Sequence, residues 1–342
     1  MPHWLRGAGI LLHMTDGWRP MLARLASSLP QGRDWVYEPK WDGFRGLLVR
    51  RLGNARILSR NRRALEPYFP ELTAAARERL PENCALDGEL LALRDGRPDF
   101  SSLLLRLGRR AHPEVRFVAF DLLRLEGEDL GALPLSQRRT RLLSVVAEDG
   151  DPICASVQTE LPAVAEAWLQ QSAELHLEGV VAKRASQPYR HGKRSWVKVK
   201  HWETTDLVVG GLVGTPPHTS LLLGAYDRDG SLTYVGQTTA VPAEVAAELA
   251  AALRTLATER SFADGPAPGY SRWGSHRFED WLPLRPVLVC EVSFSRLDGH
   301  FLRHSARFLR WRPDKSPQQC TLAALTQAAG GELPGIARGP DT

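Results

Sequence analysis

Alternating apolar and polar positions near the start of the chain predict strands over 34–37, 46–51 and 55–59, with Gly53-Asn54 as the hairpin turn between the last two. The period then lengthens. Residues 71–80 predict a helix that Pro81 ends, and Cys84 to Leu93 alternates again as a strand closed by the turn Arg94-Asp95-Gly96. An apolar strand over 117–123 follows, then helices over 136–147, with Ser136 as its cap, and over 161–172. Strands at 179–182 and 196–199 complete this half. After His201 the pattern changes to short β-like runs at 207–213, 221–226 and 232–236, an alanine-rich helix over 242–256, and further runs at 287–294 and 308–311. Five short strands around one helix fit a small Greek-key barrel of the OB type. An SH3-like barrel or a sandwich is the alternative on pattern alone. The boundary is expected near residues 201–204, the Gly- and Pro-rich tail after Gln327 is expected to be poorly ordered, and no internal repeat is found.

The length changes this picture only by setting its scale: 342 residues suffice for two domains at roughly 150 residues each. Apolar residues make up 43% and charged residues 24%, which excludes a largely disordered or fibrous chain. The longest apolar candidate, Gly7 to Met14, is far shorter than a membrane span and lacks a cleavage-like ending, so a cytoplasmic protein without membrane contact is expected. Cys84, Cys154, Cys290 and Cys320 form no C-x-x-C pair, which argues against both a disulfide framework and a zinc site.

Charge is more informative by distribution than by sum. The net charge is only +5, yet seven arginines and no acid lie between Arg45 and Arg63, and seven lysines and arginines with no acid between Lys183 and Lys200. Near the end Arg296, Arg303, Arg307, Arg310, Arg312 and Lys315 face only Asp298 and Asp314. A single such run is as readily a solvated face, but three favour a polyanionic partner.

One segment carries candidate chemistry. In Glu38-Pro39-Lys40-Trp41-Asp42-Gly43-Phe44-Arg45 a lysine nucleophile is followed at fixed offsets by an acid on a turn and by a cation. Further along stand Ser59-Arg60-Asn61, Leu86-Asp87-Gly88-Glu89, Val118-Ala119-Phe120-Asp121, Glu178-Gly179-Val180-Val181-Ala182-Lys183 and Trp196-Val197-Lys198-Val199-Lys200. In this order and spacing they resemble the motif series of the covalent nucleotidyltransferases, and more narrowly the bacterial ATP-dependent DNA ligases of the LigC and LigD type, the C type best. The similarity runs from Pro20 to Lys315.

The resemblance implies an α+β fold: an ATP-grasp-like nucleotidyltransferase core with antiparallel sheets over 20–201 and an OB-fold domain over 205–320, with a lead-in over 1–19 and a tail over 328–342. It implies that Lys40 attacks the α-phosphorus of ATP, with Asp42 and Arg45 as catalytic neighbours. A free lysine has a pKa near 10.4, so a cationic, partly buried setting must favour its neutral form; Arg45, Lys183, Lys198 and Lys200 are the candidates. The resemblance assigns Glu89 and Glu178 to Mg²⁺ or Mn²⁺, Phe120 to stacking on adenine and Glu38 to the adenine end, with Arg60 also at the nucleotide. Lys198 and Lys200, two apart on a strand, share a face that meets the phosphates while Val197 and Val199 point to the core. Glu178 and Lys183, five apart, belong to opposite faces of a regular strand, so both serve the site only if the strand bends or the lysine reaches round.

Arg307, Arg312 and Lys315 are expected at the pyrophosphate leaving group. Arg50, Arg60, Arg62, Arg63 and the 190–194 loop are expected on DNA phosphates. Two departures from the family pattern stand out: Arg62 where relatives often carry glycine, and Pro313 where the family's ending usually carries an acid. The expected function is sealing of nicks in duplex DNA by a monomer, in repair, beside a partner such as a polymerase or primase. With so few residues before Lys40, no helical DNA-binding domain is expected there. RNA ligase and capping guanylyltransferase share the chemistry, and a non-catalytic single-strand binding protein is the alternative of another class.

Overall fold

The structure, a computed structural model, describes residues 18–149, 151–172, 174–215, 218–263 and 281–329. The expectations for the lead-in before Trp18 and for the tail beyond Ala329 lie outside the described residues. The chain divides between His201 and Trp202 into two units.

In the first unit the strands are β1 (Leu22–Leu25), β2 (Trp35–Lys40), β3 (Phe44–Arg51), β4 (Asn54–Ser59), β5 (Cys84–Arg94), β6 (Arg97–Pro98), β7 (Glu114–Leu125), β8 (Glu128–Asp129), β9 (Ile153–Ala155), β10 (Gly179–Arg184) and β11 (Arg194–Val199). The helices are α1 (Pro70–Arg79), α2 (Phe100–Leu107), α3 (Leu135–Val145) and α4 (Pro162–Gln170). One sheet has the order β4-β3-β5-β7-β8, with β6 on β5 and β9 parallel to β7; the other has the order β1-β11-β10-β2. Strand alternation sorts the side chains into layers. Leu48 of β3 faces a core shared with Phe69, Leu72 and Leu103, while Leu47 and Val49 face a second core with Met21, Tyr189 and Trp196 of the other sheet. A third core joins Val180, Ala182, Val197 and Val199 to Ala165 of α4. The site described below lies where the two sheets face each other.

Two local expectations change. The helix assigned to Ser136 as cap begins at Leu135, with Pro134 at the cap position and no capping side chain; the proline's fixed φ of −54° starts the turn instead. Helix α2 is an addition, capped by Asp99, whose carboxylate accepts from the Ser102 amide at 3.0 Å.

The second unit contains β12 (Glu203–Val213), β13 (Ser220–Tyr226), β14 (Leu232–Gln237), α5 (Ala243–Leu256), β15 (Trp281–Phe294), β16 (Leu297–Asp298), β17 (Phe301–Leu302), β18 (Arg307–Trp311) and α6 (Leu322–Ala328). Its antiparallel sheet, in the order β14-β13-β12-β15-β18, curls into an OB-like half-barrel. Leu207, Leu223, Val235, Val292 and Phe294 pack with Val245 and Leu249 of α5 inside the curl. Helix α6, just before the expected tail, is capped by Thr321 and buries Leu325 in the same core.

Candidate active site

Lys40 ends β2 and Gly179 opens β10, and the ladder pairs the two directly. Gly179 has φ +137°, and a Cβ there would lie 2.1 Å from the Val199 carbonyl oxygen, so only glycine lets the chain bend at this point. The bend resolves the parity problem: Glu178 stands outside the regular strand, its amide donates to the Lys40 carbonyl at 2.8 Å, and its carboxylate meets the Lys40 ammonium in an ion pair. The turn after Lys40 is equally tight. A Cβ on Gly43 would meet the Leu90 carbonyl oxygen at 2.1 Å, and Trp41 Nε1 donates to Ser156 Oγ at 2.9 Å. Asp42 is buried in this turn.

The face of β11 that looks toward Lys40 carries Trp196 and Lys198, with Lys200 just beyond the strand, while Val197 and Val199 turn into the α4 core. Lys200 Nζ is 3.6 Å from Glu178 Oε1. Burial first, then the charges of Lys40 and Lys200, hold Lys198 below the ordinary lysine range. Lys200 is also lowered, by burial and by Lys40 against the opposing pull of Glu178. These two lysines therefore form the cationic field around the Lys40 amine.

Arg45 and Lys183, the other expected cations, are each bound to a buried acid. Arg45 Nε and Nη2 donate to Asp87 Oδ1 and Oδ2 at 3.0 and 2.7 Å, and Nη1 donates to the Met21 carbonyl at 2.6 Å. Burial pulls the guanidinium pKa down, but Asp87 outweighs it and holds it above the usual value. The Tyr189 hydroxyl donates to Asp87 Oδ2 at 2.7 Å and accepts from the Met21 amide at 2.9 Å, so this knot ties the two sheets together. Lys183 Nζ donates to Glu38 Oε2 at 2.7 Å and to the Phe120 carbonyl at 3.2 Å. It sits 4.7 and 4.5 Å from the ring centres of Phe120 and Trp196, within cation–π range. Gln158 Nε2 donates to the second Glu38 oxygen at 2.9 Å. The corner expected to take adenine thus has a half-buried aromatic ring beside a fully engaged acid, with Lys183 bonded to that acid.

Glu89 pairs with Arg45 across β3 and β5 and lies two residues from Asp87 on the same face. Burial pushes its carboxyl up to about 7, against the pull of Lys40 and Arg45 and with the push of Glu178 and Asp87. A carboxylate held this far above its ordinary range is short of positive charge, which a divalent cation would supply. Among the described residues no group of three or more His, Cys, Asp and Glu gathers to cage a metal. Two hard carboxylates, Glu89 and Glu178, still suit Mg²⁺, which keeps several waters and takes its remaining oxygens from phosphates.

Arg60 is exposed in the loop after β4, where Ser59 organises the turn: its carbonyl accepts from the Arg62 amide at 2.7 Å and its Oγ from the Arg63 amide at 2.9 Å. Arg62 has φ +62°, the left-handed conformation that favours glycine. Arg63 and the 190–194 stretch, with Arg190, Lys193 and Arg194, are exposed. Arg50 is tied to the Leu80 carbonyl and stands 3.3 Å from Glu82, which removes it from the group most ready to meet a phosphate.

In the second unit, Arg312 Nη1 donates to both oxygens of Asp206 at 2.9 and 3.0 Å, and Lys315 Nζ donates to Asp206 Oδ2 at 2.7 Å. Arg307 is exposed at the far end of β18 and is not in this cluster. The residues that motif reading passed over are Gln158, Tyr189, Trp196 and Asp206, together with the structural duty of Asp87. Trp196 shares a strand face with Lys198 and could have been found by parity; the others come from segments whose approach no spacing signals.

Known proteins match this arrangement along its length. The family model described as the ATP dependent DNA ligase domain matches residues 20–200, and the ATP dependent DNA ligase C terminal region matches residues 215–315. DNA ligase C2 of Mycolicibacterium smegmatis is 37% identical, over 90% of this chain and 93% of that protein. DNA ligase C of Mycobacterium tuberculosis is 36% identical, over 94% and 97%. The crystal structure of the ligase domain from M. tuberculosis LigD superposes with a TM-score of 0.50 at 30% identity, over 90% of this chain and 98% of that one.

Proposed function

Because the chain belongs to the ATP-dependent DNA ligases, we propose that it seals 5′-phosphate/3′-hydroxyl nicks in duplex DNA through an adenylate on Lys40. The observation that carries this reading is the Lys40 amine at the meeting of two sheets, flanked by Glu178, Lys198 and Lys200. In the first step the Lys40 ammonium leaves its ion pair with Glu178 and gives up a proton to solvent, and the neutral amine nitrogen attacks the α-phosphorus of ATP. The N–P bond forms, the bond to the β-phosphate oxygen breaks, pyrophosphate leaves with the electron pair and the amine proton passes to solvent. The AMP group then moves to the 5′-phosphate of the nick, freeing Lys40, and attack by the 3′-hydroxyl joins the strands and releases AMP.

Each step is a displacement at phosphorus, so positioning and charge do most of the work. Mg²⁺ or Mn²⁺ held by Glu89 and Glu178 would neutralise charge on the phosphate oxygens. Lys198 and Lys200 hold the same oxygens from the β11 side, Phe120 stacks on adenine, and Glu38 with Lys183 closes the adenine end. Arg60 reaches the nucleotide, and Asp42 and Arg45 fix the frame around Lys40. Arg307, Arg312 and Lys315 meet the leaving pyrophosphate when the second unit turns about the 201–204 segment, and that unit then swings away to clamp DNA. Arg62, Arg63 and the 190–194 loop contact DNA phosphates without reading sequence. The protein acts as a monomer at the nucleoid beside repair proteins such as a polymerase or primase.

The test is the mass of the intact protein after incubation with ATP and Mg²⁺. A gain of one adenylate, lost in Lys40→Ala together with nick sealing, is expected; a Lys40→Ala protein that seals like the parent overturns the reading. GTP and RNA nicks in parallel separate the guanylyltransferase and RNA ligase.

A further inference from the structure

We propose that Asp206, an acid outside every motif of the family series, is the positioning residue that holds Arg312 and Lys315 in register for the departing pyrophosphate. This rests on the reading that these two cations meet that group.

The argument begins with the strand. Asp206 lies on β12, the central strand of the five, where the ladder sets it opposite Glu291 of β15 two residues before pairing with β13 begins at Val208, so its side chain springs from a hydrogen-bonded strand. That side chain is 11% exposed. Arg312 and Lys315 come from the segment just after β18, in a turn that the Arg312 amide ties to the Val289 carbonyl at 2.9 Å, but Pro313 and Asp314 between them are exposed, so it falls to acids to hold the charged ends of the two long side chains. A single carboxylate gathers both. It accepts two bonds from one guanidinium nitrogen and one from the ammonium, all between 2.7 and 3.0 Å.

Which edge of Arg312 each acid takes is decisive. Asp206 uses Nη1 alone. The edge made by Nε and Nη2 faces Asp314, at 3.0 and 3.3 Å from Nε and 2.9 Å from Nη2. Asp314 is 63% exposed, and an exposed pair of this kind exchanges readily for a better anion. The Nε–Nη2 edge is the parallel pair of donors that matches two oxygens of one phosphate. Asp206 therefore fixes the arginine from behind and leaves its forked edge to be handed from Asp314 to phosphate. Lys315, tied to the same carboxylate, is set beside that edge as a second charge. Once Asp314 gives way, two cations face one anchoring acid, and the cluster then carries the positive charge an anion site requires.

The test uses the full chain with Asp206→Asn, which keeps the shape and removes the charge, and Asp206→Glu, which keeps the charge. Lys40 adenylylation is followed in single turnover against ATP concentration, and sealing of a nick that already carries the 5′-adenylate is measured separately. Asp206→Asn is expected to lower kcat/KM for adenylylation by about tenfold to a hundredfold, the range of a lost charge-assisted contact. Sealing of the pre-adenylylated nick and the melting temperature should stay near parental values, with Asp206→Glu recovering part of the loss. Parental adenylylation in Asp206→Asn, or equal loss in both assays, overturns the inference. Arg312→Ala run alongside separates the two claims. If it adenylylates like the parent, the reading of the cations fails; if it is impaired while Asp206→Asn is not, only the role of Asp206 falls.

Discussion

Arg45 and Arg312 are each bound by an aspartate through short hydrogen bonds, and they end in opposite conditions. Arg45 gives Nε and Nη2 to Asp87 and Nη1 to the Met21 carbonyl, with Phe120 and Trp196 at 5.2 and 5.1 Å over its guanidinium carbon. Asp87 is fully buried. Arg312 is held through a single nitrogen, and its forked edge meets only a solvent-facing acid. Arg45 and Arg312 are themselves 16% and 19% exposed, so the acids make the difference: a wholly buried Asp87 gives a structural knot, and a solvent-facing Asp314 leaves one edge of a loaded site wet. Arg45 helps Lys40 by keeping the two sheets in place; Arg312 is built to exchange partners.

The largest expected effect comes from breaking the knot. Asp87→Ala leaves a mostly buried guanidinium without its counter-charge and the Tyr189 hydroxyl without its acceptor, and unfolding free energy should fall by about 3 kcal/mol, with Lys40 adenylylation lost as the sheets part. Asp206→Ala, at a cluster with solvent access, should lower stability much less. Chemical denaturation of both variants measures the contrast, and equal losses would end the distinction between knot and loaded site.

A middle-sized effect belongs to Glu89, whose carboxyl burial pushes up to about 7. In the unfolded chain this group has an ordinary pKa near 4.3. Between these values the native state keeps a proton that the unfolded state has released, so the group's contribution to stability falls as pH rises through that window. The same proton competes with a metal ion. Apparent Mg²⁺ affinity in adenylylation should therefore climb with pH, by up to about tenfold per unit, and flatten above about 7. Mg²⁺ titrations at several pH values, repeated with Glu89→Gln, check this; a flat dependence in the parent, or the same slope in the variant, would refute it.

The contrast between the two arginines also marks how far the sequence could be read. Hydrophobic periodicity located the strands that carry Glu89, Phe120 and Lys198, while the strand expected over 34–37 stops short of Lys40, which ends β2, and Lys200 lies just beyond β11. Gly43 and Gly179 stand inside the motif runs, but that they sit where backbone presses on backbone is visible only in the folded chain. Illegible were the partners that reach a cation from distant segments: Tyr189 bonds Asp87 across 102 residues, Lys315 bonds Asp206 across 109, and Gln158 bonds Glu38 across 120. Such pairs obey no local period. Helix α2 was missed because its eight residues are too few for a clear repeat, and β1 because it gains its place only by pairing with β11. Ser136 misled because a cap is chosen by backbone geometry, and Pro134 supplied it first.

The smallest effect tests the wet end of the comparison. Next to the Asp206 cluster, Glu291 pairs with Asp206 in the ladder on one side and accepts from Arg310 Nε at 2.6 Å on the other. Geometry alone would rank this bond with the short ones of the Arg45 knot. Arg310, however, is 63% exposed, so most of the attraction is spent against water and salt. A double-mutant cycle with Arg310→Ala and Glu291→Ala, read by denaturation, should give a coupling of only about 0.2–1 kcal/mol, shrinking further as ionic strength rises. The equivalent cycle on the buried Arg138 and Asp121, which meet at 2.7 and 2.9 Å at 1% and 0% exposure, should couple several times more strongly and resist salt. Comparable couplings in the two cycles would mean that bond length, and not burial, decides what an ion pair does in this protein.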